Sequence, residues 1–338
     1  MRLSSITKLA FFAAVLNLCA HAEEITVYSH RHYDSDKALY QKFTDESGIA
    51  VNVVRAGADE LIERLKAEGK NSSADILITV DAGRLQRAKA AGVLQPIESS
   101  VLANRIPATY RDPENHWYGV SLRARIFAYA PERVDVSALA SYEDLADPKW
   151  RGRLVARSSM NIYNLSLGAS IIAEHGINST RDWATAVRKN MARPPQGNDR
   201  DQIRAVAAGL ADVAIVNTYY VGLLATSTDP KDREVAESVK IFFPNQENRG
   251  THVNVSGVGV TAASKKLDAA TKFIEFLVSD EAQKTFPQAT HEFPIVPGIP
   301  RSDLQRSWGE FEADTLNLDM LGELNEAAVT VYNESGWE

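Results

Sequence analysis

Ala211-Asp-Val-Ala-Ile-Val-Asn-Thr-Tyr-Tyr-Val-Gly-Leu-Leu224 reads as a short apolar strand that runs through two adjacent tyrosines into helix-forming sequence. A buried strand followed at once by a helix is the βα step of an open α/β sheet. In such sheets ligands gather in the crevice beyond the carboxyl ends of the strands. Tyr219 and Tyr220 are therefore expected on a turn that faces a cleft. Tyr33, just after the strand-like residues 25–29, and Tyr163, just after residues 153–157, stand in similar settings. Four phenols are thus candidates for one site. The chain has 11 tyrosines, and the ordinary role of a tyrosine is amphipathic packing with one hydrogen bond. Position alone does not choose between these roles.

Upstream, the same step recurs three times. Residues 25–29 form a strand, and a helix capped by Asp34 or Ser35 carries Leu39, Tyr40 and Phe43 on one face before Gly48 ends it. Residues 49–54 lead through Gly57 to a helix with Leu61, Ile62 and Leu65 inward. Residues 74–80 lead to a helix over 82–91, stopped by Gly92. Repeated βα units predict an α/β fold, each lobe a mostly parallel sheet flanked by helices.

Two long extended runs, 117–130 and 251–260, are long enough to leave one sheet and enter another, the first switching near residues 121–124. They predict a two-lobed molecule with hinge strands: lobe 1 from residues 23–122 and 252–298, lobe 2 from 123–251 and 299–338. Hinge closure around a ligand is a known use of that plan. Further helices are expected at 141–145, 165–174, 180–191, 202–208 and 267–276, and in the C-terminal stretch, with Leu316, Leu321 and Leu324 packing.

Residues 1–22 read as a cleavable signal peptide, with Arg2 and Lys8 as the basic start, 9–18 as the apolar core and Ala20-His-Ala22 as the small-x-small cleavage site. The implied compartment is the periplasm. Cys19 is the only cysteine. It follows Leu18, where a lipobox wants a small residue, and it leaves with the leader. The mature fold therefore has no disulfide to rely on. A net charge of −7 argues against nucleic acid as a partner, and no basic amphipathic helix offers itself to a membrane surface.

Eight stretches, in order and spacing, carry a resemblance over nearly the whole mature chain: Tyr28-Ser-His-Arg-His-Tyr33, Ala58-Asp-Glu-Leu61, Ala74-Asp-Ile-Leu77, Pro148-Lys-Trp-Arg-Gly152, Asn161-Ile-Tyr-Asn164, Pro195-Gln-Gly-Asn-Asp199, Asn217-Thr-Tyr-Tyr-Val-Gly222 and Asn245-Gln-Glu-Asn-Arg-Gly250. The sequence resembles the periplasmic ferric-ion-binding proteins of iron ABC transporters, within the type II substrate-binding fold, and is most similar to those that bind iron mainly through tyrosines.

The resemblance implies that Tyr163, Tyr219 and Tyr220 are iron ligands from the second lobe and that Tyr33 closes on the metal from the first. His32 matches a position that supplies an imidazole in some relatives and is a polar cleft residue in others. Arg123 resembles an arginine near the metal, where it offsets charge or holds a small anion; an ion pair between lobes is the alternative, and Arg125 is a less favoured candidate. A membrane permease and its ATPase are the implied partners of a monomer, and Fe(III) the transported ligand.

The chemistry agrees with that reading. Ferric iron is a hard cation and phenolate a hard anionic oxygen donor. An ordinary phenol pKa of about 10 makes binding release protons, so affinity falls in acid. Two other readings stand beside it: the same fold holding an organic anion, polyamine or sugar, and a metal-dependent enzyme. The chain has no His-Glu-x-x-His, Walker loop or Gly-x-Ser-x-Gly element, so no enzyme is expected.

Overall fold

The computed structural model describes residues 23–31 and 33–337; the expected signal peptide and His32 lie outside them. Strands β1 (Glu24–Ser29), β2 (Ala50–Arg55) and β3 (Ile76–Val80) alternate with helices α1 (Asp34–Ser47), α2 (Ala58–Glu68) and α3 (Ala82–Ala90). β1 pairs in parallel with β2 and β3, as three successive βα steps require. Short β4 (Leu94–Gln95) and α4 (Ser100–Arg105) lead to the 12-residue β5 (Tyr118–Tyr129).

β5 serves two sheets. Its residues 118–124 pair with β9 (Val253–Thr261), whereas residues 125–129 pair with β7 (Val213–Asn217) and β8 (Lys240–Phe242). The switch falls between Ala124 and Arg125. Between the two crossing strands lie β6 (Leu154–Val155), α5 (Ile162–Asn190), α6 (Asp199–Ala207), α7 (Thr218–Ala225) and α8 (Pro230–Glu237). After β9 come α9 (Leu267–Leu277), α10 (Asp280–Ala289), β10 (Phe293–Pro294), α11 (Asp303–Ser307), α12 (Met320–Glu323) and α13 (Asn325–Ser335).

The strand order is β2-β1-β3-β9-β5-β7-β6. The whole is a mixed sheet: parallel at its two ends, where β1, β2 and β3 meet and where β6 meets β7, and antiparallel at every pairing of β5 or β9. The reason is the pair of crossings, which run past each other in opposite directions. All nine residues of β9 are buried, as expected of a strand covered on both faces.

Details of the helices differ from their sequence reading. The two helices expected over 165–174 and 180–191 are both present within α5, and non-helical Gly176, at φ 76° and ψ 169°, marks the break between them. The expected helix at 141–145 is a single 3₁₀ turn over Glu143–Ala146, with Ser141 Oγ accepting from the Asp144 N–H at 3.1 Å. The C-terminal stretch does more than pad one side. Leu321 of α12 is fully buried, and α12 packs against both α3 and α5.

The core around the first three strands centres on Phe273 of α9, met edge-on by Tyr40 and Phe43 at 5.2 and 5.1 Å between ring centroids. Each such pair contributes about 0.5–1.5 kcal/mol beyond area burial. No helix among the described residues is long and apolar enough to cross a membrane.

Candidate metal centre

Asn217 ends β7 and Thr218 opens α7, so Tyr219 and Tyr220 stand in the first turn of a helix and not on an open turn. The junction is tied down from three sides. The Asn217 N–H donates to Asp199 Oδ2 at 2.9 Å, Asn217 Oδ1 accepts from Arg125 Nη1 at 3.1 Å, and Thr218 Oγ1 accepts from the Ala124 N–H at 3.3 Å. The two rings lie 4.2 Å apart, tilted by 34°. Gly222, one turn on, lets α7 lie against His291: a Cβ there would come within 2.6 Å of the His291 Cβ and Cγ. We expect Gly222→Ala to push α7 off its seat, at a cost of about 1–3 kcal/mol, read as a lowered midpoint in urea. An unchanged midpoint would show that His291 yields freely.

Tyr163 stands in the first turn of α5, where the cap Asn161 accepts its N–H through Oδ1 at 3.1 Å. Its phenol oxygen accepts from Tyr219 Oη at 3.2 Å. The guanidinium carbons of Arg157 and Arg125 lie 5.3 and 6.0 Å from its ring centroid. Asp199 pairs with both, at 2.6 Å to Arg125 and 3.5 Å to Arg157. Arg125 also donates to Asn164 Oδ1 at 2.7 Å. It is therefore committed to its own carboxylate and is poorly placed to offset charge elsewhere.

Tyr33 precedes α1 and lies 5.0 Å, ring centroid to guanidinium carbon, from Arg31. It stands in the same electrostatic neighbourhood as Tyr163 and Arg123, and Tyr219 in that of Tyr33, Tyr163 and Tyr220. Of the four phenols named from the sequence, Tyr163 and Tyr219 touch through their oxygens and Tyr220 lies ring to ring with Tyr219, while Tyr33 is within electrostatic reach of Tyr163 and Tyr219. Burial pushes the phenols of Tyr33, Tyr219 and Tyr220 well above their ordinary value; neighbouring phenols push the same way, and for Tyr33 and Tyr219 the charge of Arg123 pulls back. Raised in this way, the rings favour the neutral phenol near neutral pH.

Arg123, 2 % exposed, donates through Nη2 to Ser256 Oγ at 2.5 Å and to Glu292 Oε1 at 3.2 Å. Its buried Nε and Nη1 have no protein partner among the described residues. Those two donors, beside Tyr163 and Tyr219, suit a phenolate or a small anion. Glu292 Oε2 also accepts from Arg31 Nη1 at 2.6 Å and Ser121 Oγ at 2.8 Å. Burial alone would raise this carboxyl, but Arg31 and Arg123 outweigh it and hold it at about 2. Arg31 is further held by Asp36, at 3.1 and 3.2 Å.

Two more titratable groups line the cleft. Burial pushes the Asp81 carboxyl up, against the pull of its hydrogen-bond donors. Burial, with Arg249 and Arg125, drives His252 down to about 3, so its imidazole stays neutral.

Sequence reading missed Glu292, Arg31 and Asp81. Glu292 meets Arg31 across 261 residues of chain, and nothing local marks that pairing. Asp199 was more accessible, since Asn198 and Asp201 form a capping box at the start of α6, a pattern readable from sequence. A separate trio, Asp112, Glu114 and His116, brings its ligand atoms within 4.8 Å of one another. Lys89 already satisfies its carboxylates, at 2.7 and 3.0 Å.

The chain is similar to Iron uptake protein A1 of Synechocystis, 48 % identical over 326 residues that cover 96 % of this chain and 91 % of the relative. Among solved structures it is similar to a Trichodesmium protein in complex with iron and citrate ligands, at TM-score 0.92 and 50 % identity, covering 93 % of this chain and all of that one. It is also similar to the ferric binding protein of Campylobacter jejuni, at TM-score 0.88 and 44 % identity, covering 93 % and 100 %. The architecture is that of the two-lobed type II periplasmic binding proteins. Residues 71–309 match the model of a family described as bacterial extracellular solute-binding protein. With most of its length inside that match, this chain belongs to the bacterial extracellular solute-binding proteins, which bind a solute and do not transform it.

Proposed function

We propose that this chain captures ferric iron in the cleft between its lobes and hands it to an ABC permease driven by an ATPase. The observation that carries the reading is the meeting of Tyr163 and Tyr219 at 3.2 Å between phenol oxygens, with the Tyr220 ring 4.2 Å from that of Tyr219 and Tyr33 within electrostatic reach of Tyr163 and Tyr219. Similarity to proteins named for ferric binding and iron uptake supports the same ligand.

In this reading lobe 1 comprises residues 23–122 and 252–298, and lobe 2 residues 123–251 and 299–338. Tyr163, Tyr219 and Tyr220 meet the ion in the open form. Tyr33, with His32 beside it, joins as the lobes shut. Four phenolates on a trivalent ion leave one surplus negative charge, which is costly to bury unpaired. Arg123 offsets it, and its free Nε and Nη1 also suit a small anion such as the citrate found with iron in the Trichodesmium structure. Residues 1–22 direct the chain to the periplasm and are cleaved after Ala22, and the mature protein acts as a monomer.

Titration with ferric citrate tests the ligand directly. Phenolate-to-iron charge transfer gives a visible absorption band and thermal stability rises; a colourless mixture with an unchanged melting temperature sinks the reading. Proton release is a second check. Each coordinated phenol gives up its proton, so up to about four protons per iron appear in an unbuffered titration near neutral pH. Affinity accordingly rises with pH and falls in acid. Binding with no proton release would mean that the phenols are not the ligands.

A further inference from the structure

Asp81 stands at φ 84° and ψ 126°, a backbone region that an L-residue keeps only where its surroundings over-determine it. Its carboxylate has three donors. Oδ1 accepts from Ser166 Oγ at 2.6 Å and from the Gly83 N–H at 3.0 Å, and Oδ2 accepts from Asn254 Nδ2 at 2.9 Å. Asn254 Oδ1 in turn accepts the Ala82 N–H at 2.8 Å. Strand β9 therefore holds both the carboxylate and the first turn of α3.

Two of these donors come from the Asp81 side of the cleft. The third does not. Ser166 belongs to α5, three residues after Tyr163, and positions three apart share a helix face. Asp81 and Ser166 are both fully buried. A hydrogen bond to a carboxylate in a dry setting is strong. Opening replaces it with water on both partners, so its net worth is modest, which suits a contact that must be made and broken once per cycle.

We infer that the Asp81–Ser166 hydrogen bond is the latch that holds the cleft shut, drawing the face of α5 that carries Tyr163 onto the opposite lobe. The inference rests on the two-lobed capture cycle proposed above. Asp81 and Ser166 are positioning residues and not metal ligands. Asn254 presets the carboxylate while the cleft is open, and Ser166 completes it on closure. The strained backbone at Asp81 keeps the carboxylate aimed across the cleft instead of outward.

The test uses the full mature protein in three variants: S166A, D81N and D81N/N254D. Loaded with ferric citrate and mixed with excess EDTA, the wild type loses its visible band slowly. S166A is expected to lose it about ten-fold faster. D81N is expected to be at least as fast, because it sets two amide NH₂ groups donor to donor. The double variant restores slow release: the new amide at position 81 accepts from Ser166 and Gly83 and donates to the new carboxylate at position 254, which still accepts the Ala82 N–H. A general folding defect does not produce that restoration.

Release from S166A at the wild-type rate, or a double variant as fast as D81N, overturns the latch. Small-angle scattering of the metal-free proteins keeps the two proposals apart. Should the wild type take up no iron, the ferric reading fails and the latch is judged on scattering alone. A larger radius of gyration for S166A than for wild type upholds it, and superimposable curves overturn it.

Discussion

Tyr219→Phe is expected to lower ferric affinity about a hundred- to several hundred-fold, and Tyr220→Phe to do the same, whereas Tyr110→Phe is expected to leave it within a factor of about two. The magnitude follows from sharing a metal-binding free energy of about 10–16 kcal/mol among roughly four ligands, at 1.4 kcal/mol per decade. Phenylalanine keeps the ring, so the tilted contact of Tyr219 with Tyr220 at 4.2 Å survives and the fold with it. What disappears is one anionic oxygen. Tyr110 is half-buried on a 3₁₀ turn, outside the phenol cluster. The measurement is competition against a chelator of known ferric affinity, with the charge-transfer band as readout. Equal effects at positions 110, 219 and 220 reject the ligand assignment. Because Tyr219 donates to Tyr163, Tyr219→Phe also removes the contact that orients the Tyr163 oxygen, so the two losses are coupled and do not add.

The second large effect is on stability. Glu292→Ala leaves Arg123 without its carboxylate partner, held by Ser256 only, and leaves Arg31 with Asp36 as its remaining carboxylate beside Ser256, both guanidiniums 2 % exposed at the side chain. Breaking a buried pair by removing one partner costs about 3–5 kcal/mol, because the remaining charge is left uncompensated. Urea unfolding of the iron-free protein measures it. A loss below about 1 kcal/mol would show that water reaches the arginines.

The pH dependence of Glu292→Gln gives an independent reading. The folded carboxyl sits at about 2, below its ordinary 4.5. A depressed folded pKa means that the ionised form contributes stability in full above the unfolded value, and that this contribution is lost as pH falls through the folded one. The stability gap between wild type and Glu292→Gln is therefore expected to be flat above about pH 5 and to shrink between about 4.5 and 2. A gap independent of pH over that window rules out the charge as its origin.

How much of this was legible beforehand follows the range of each interaction. The steps of β1, α1, β2, α2, β3 and α3 could be read residue by residue, since apolar periodicity, helix caps and terminal glycines are local signals. The apposition of a strand and two tyrosines at Asn217–Tyr220 was equally local. The parallel pairing of β1 with its neighbours follows from those steps. The antiparallel pairings of β5 and β9 do not, because they depend on two segments about 130 residues apart lying side by side, as Arg123 and Asn254 do in register. Arg123 was legible as a charge near the cleft. Its anchor was not.

Residue type and spacing were enough for the α/β class and the two long crossings, because each rests on a pattern within a few tens of residues; they marked the four phenols as candidates, and only the resemblance gave them a ligand role. Tertiary packing alone brought Glu292 between Arg31 and Arg123, committed Arg125 to Asp199, and set Asp81 against Ser166. These are contacts between buried charged or polar groups far apart in the chain, and no local propensity encodes them. Which charge meets which is settled only when the folded sheet takes both out of water and leaves each to find the other.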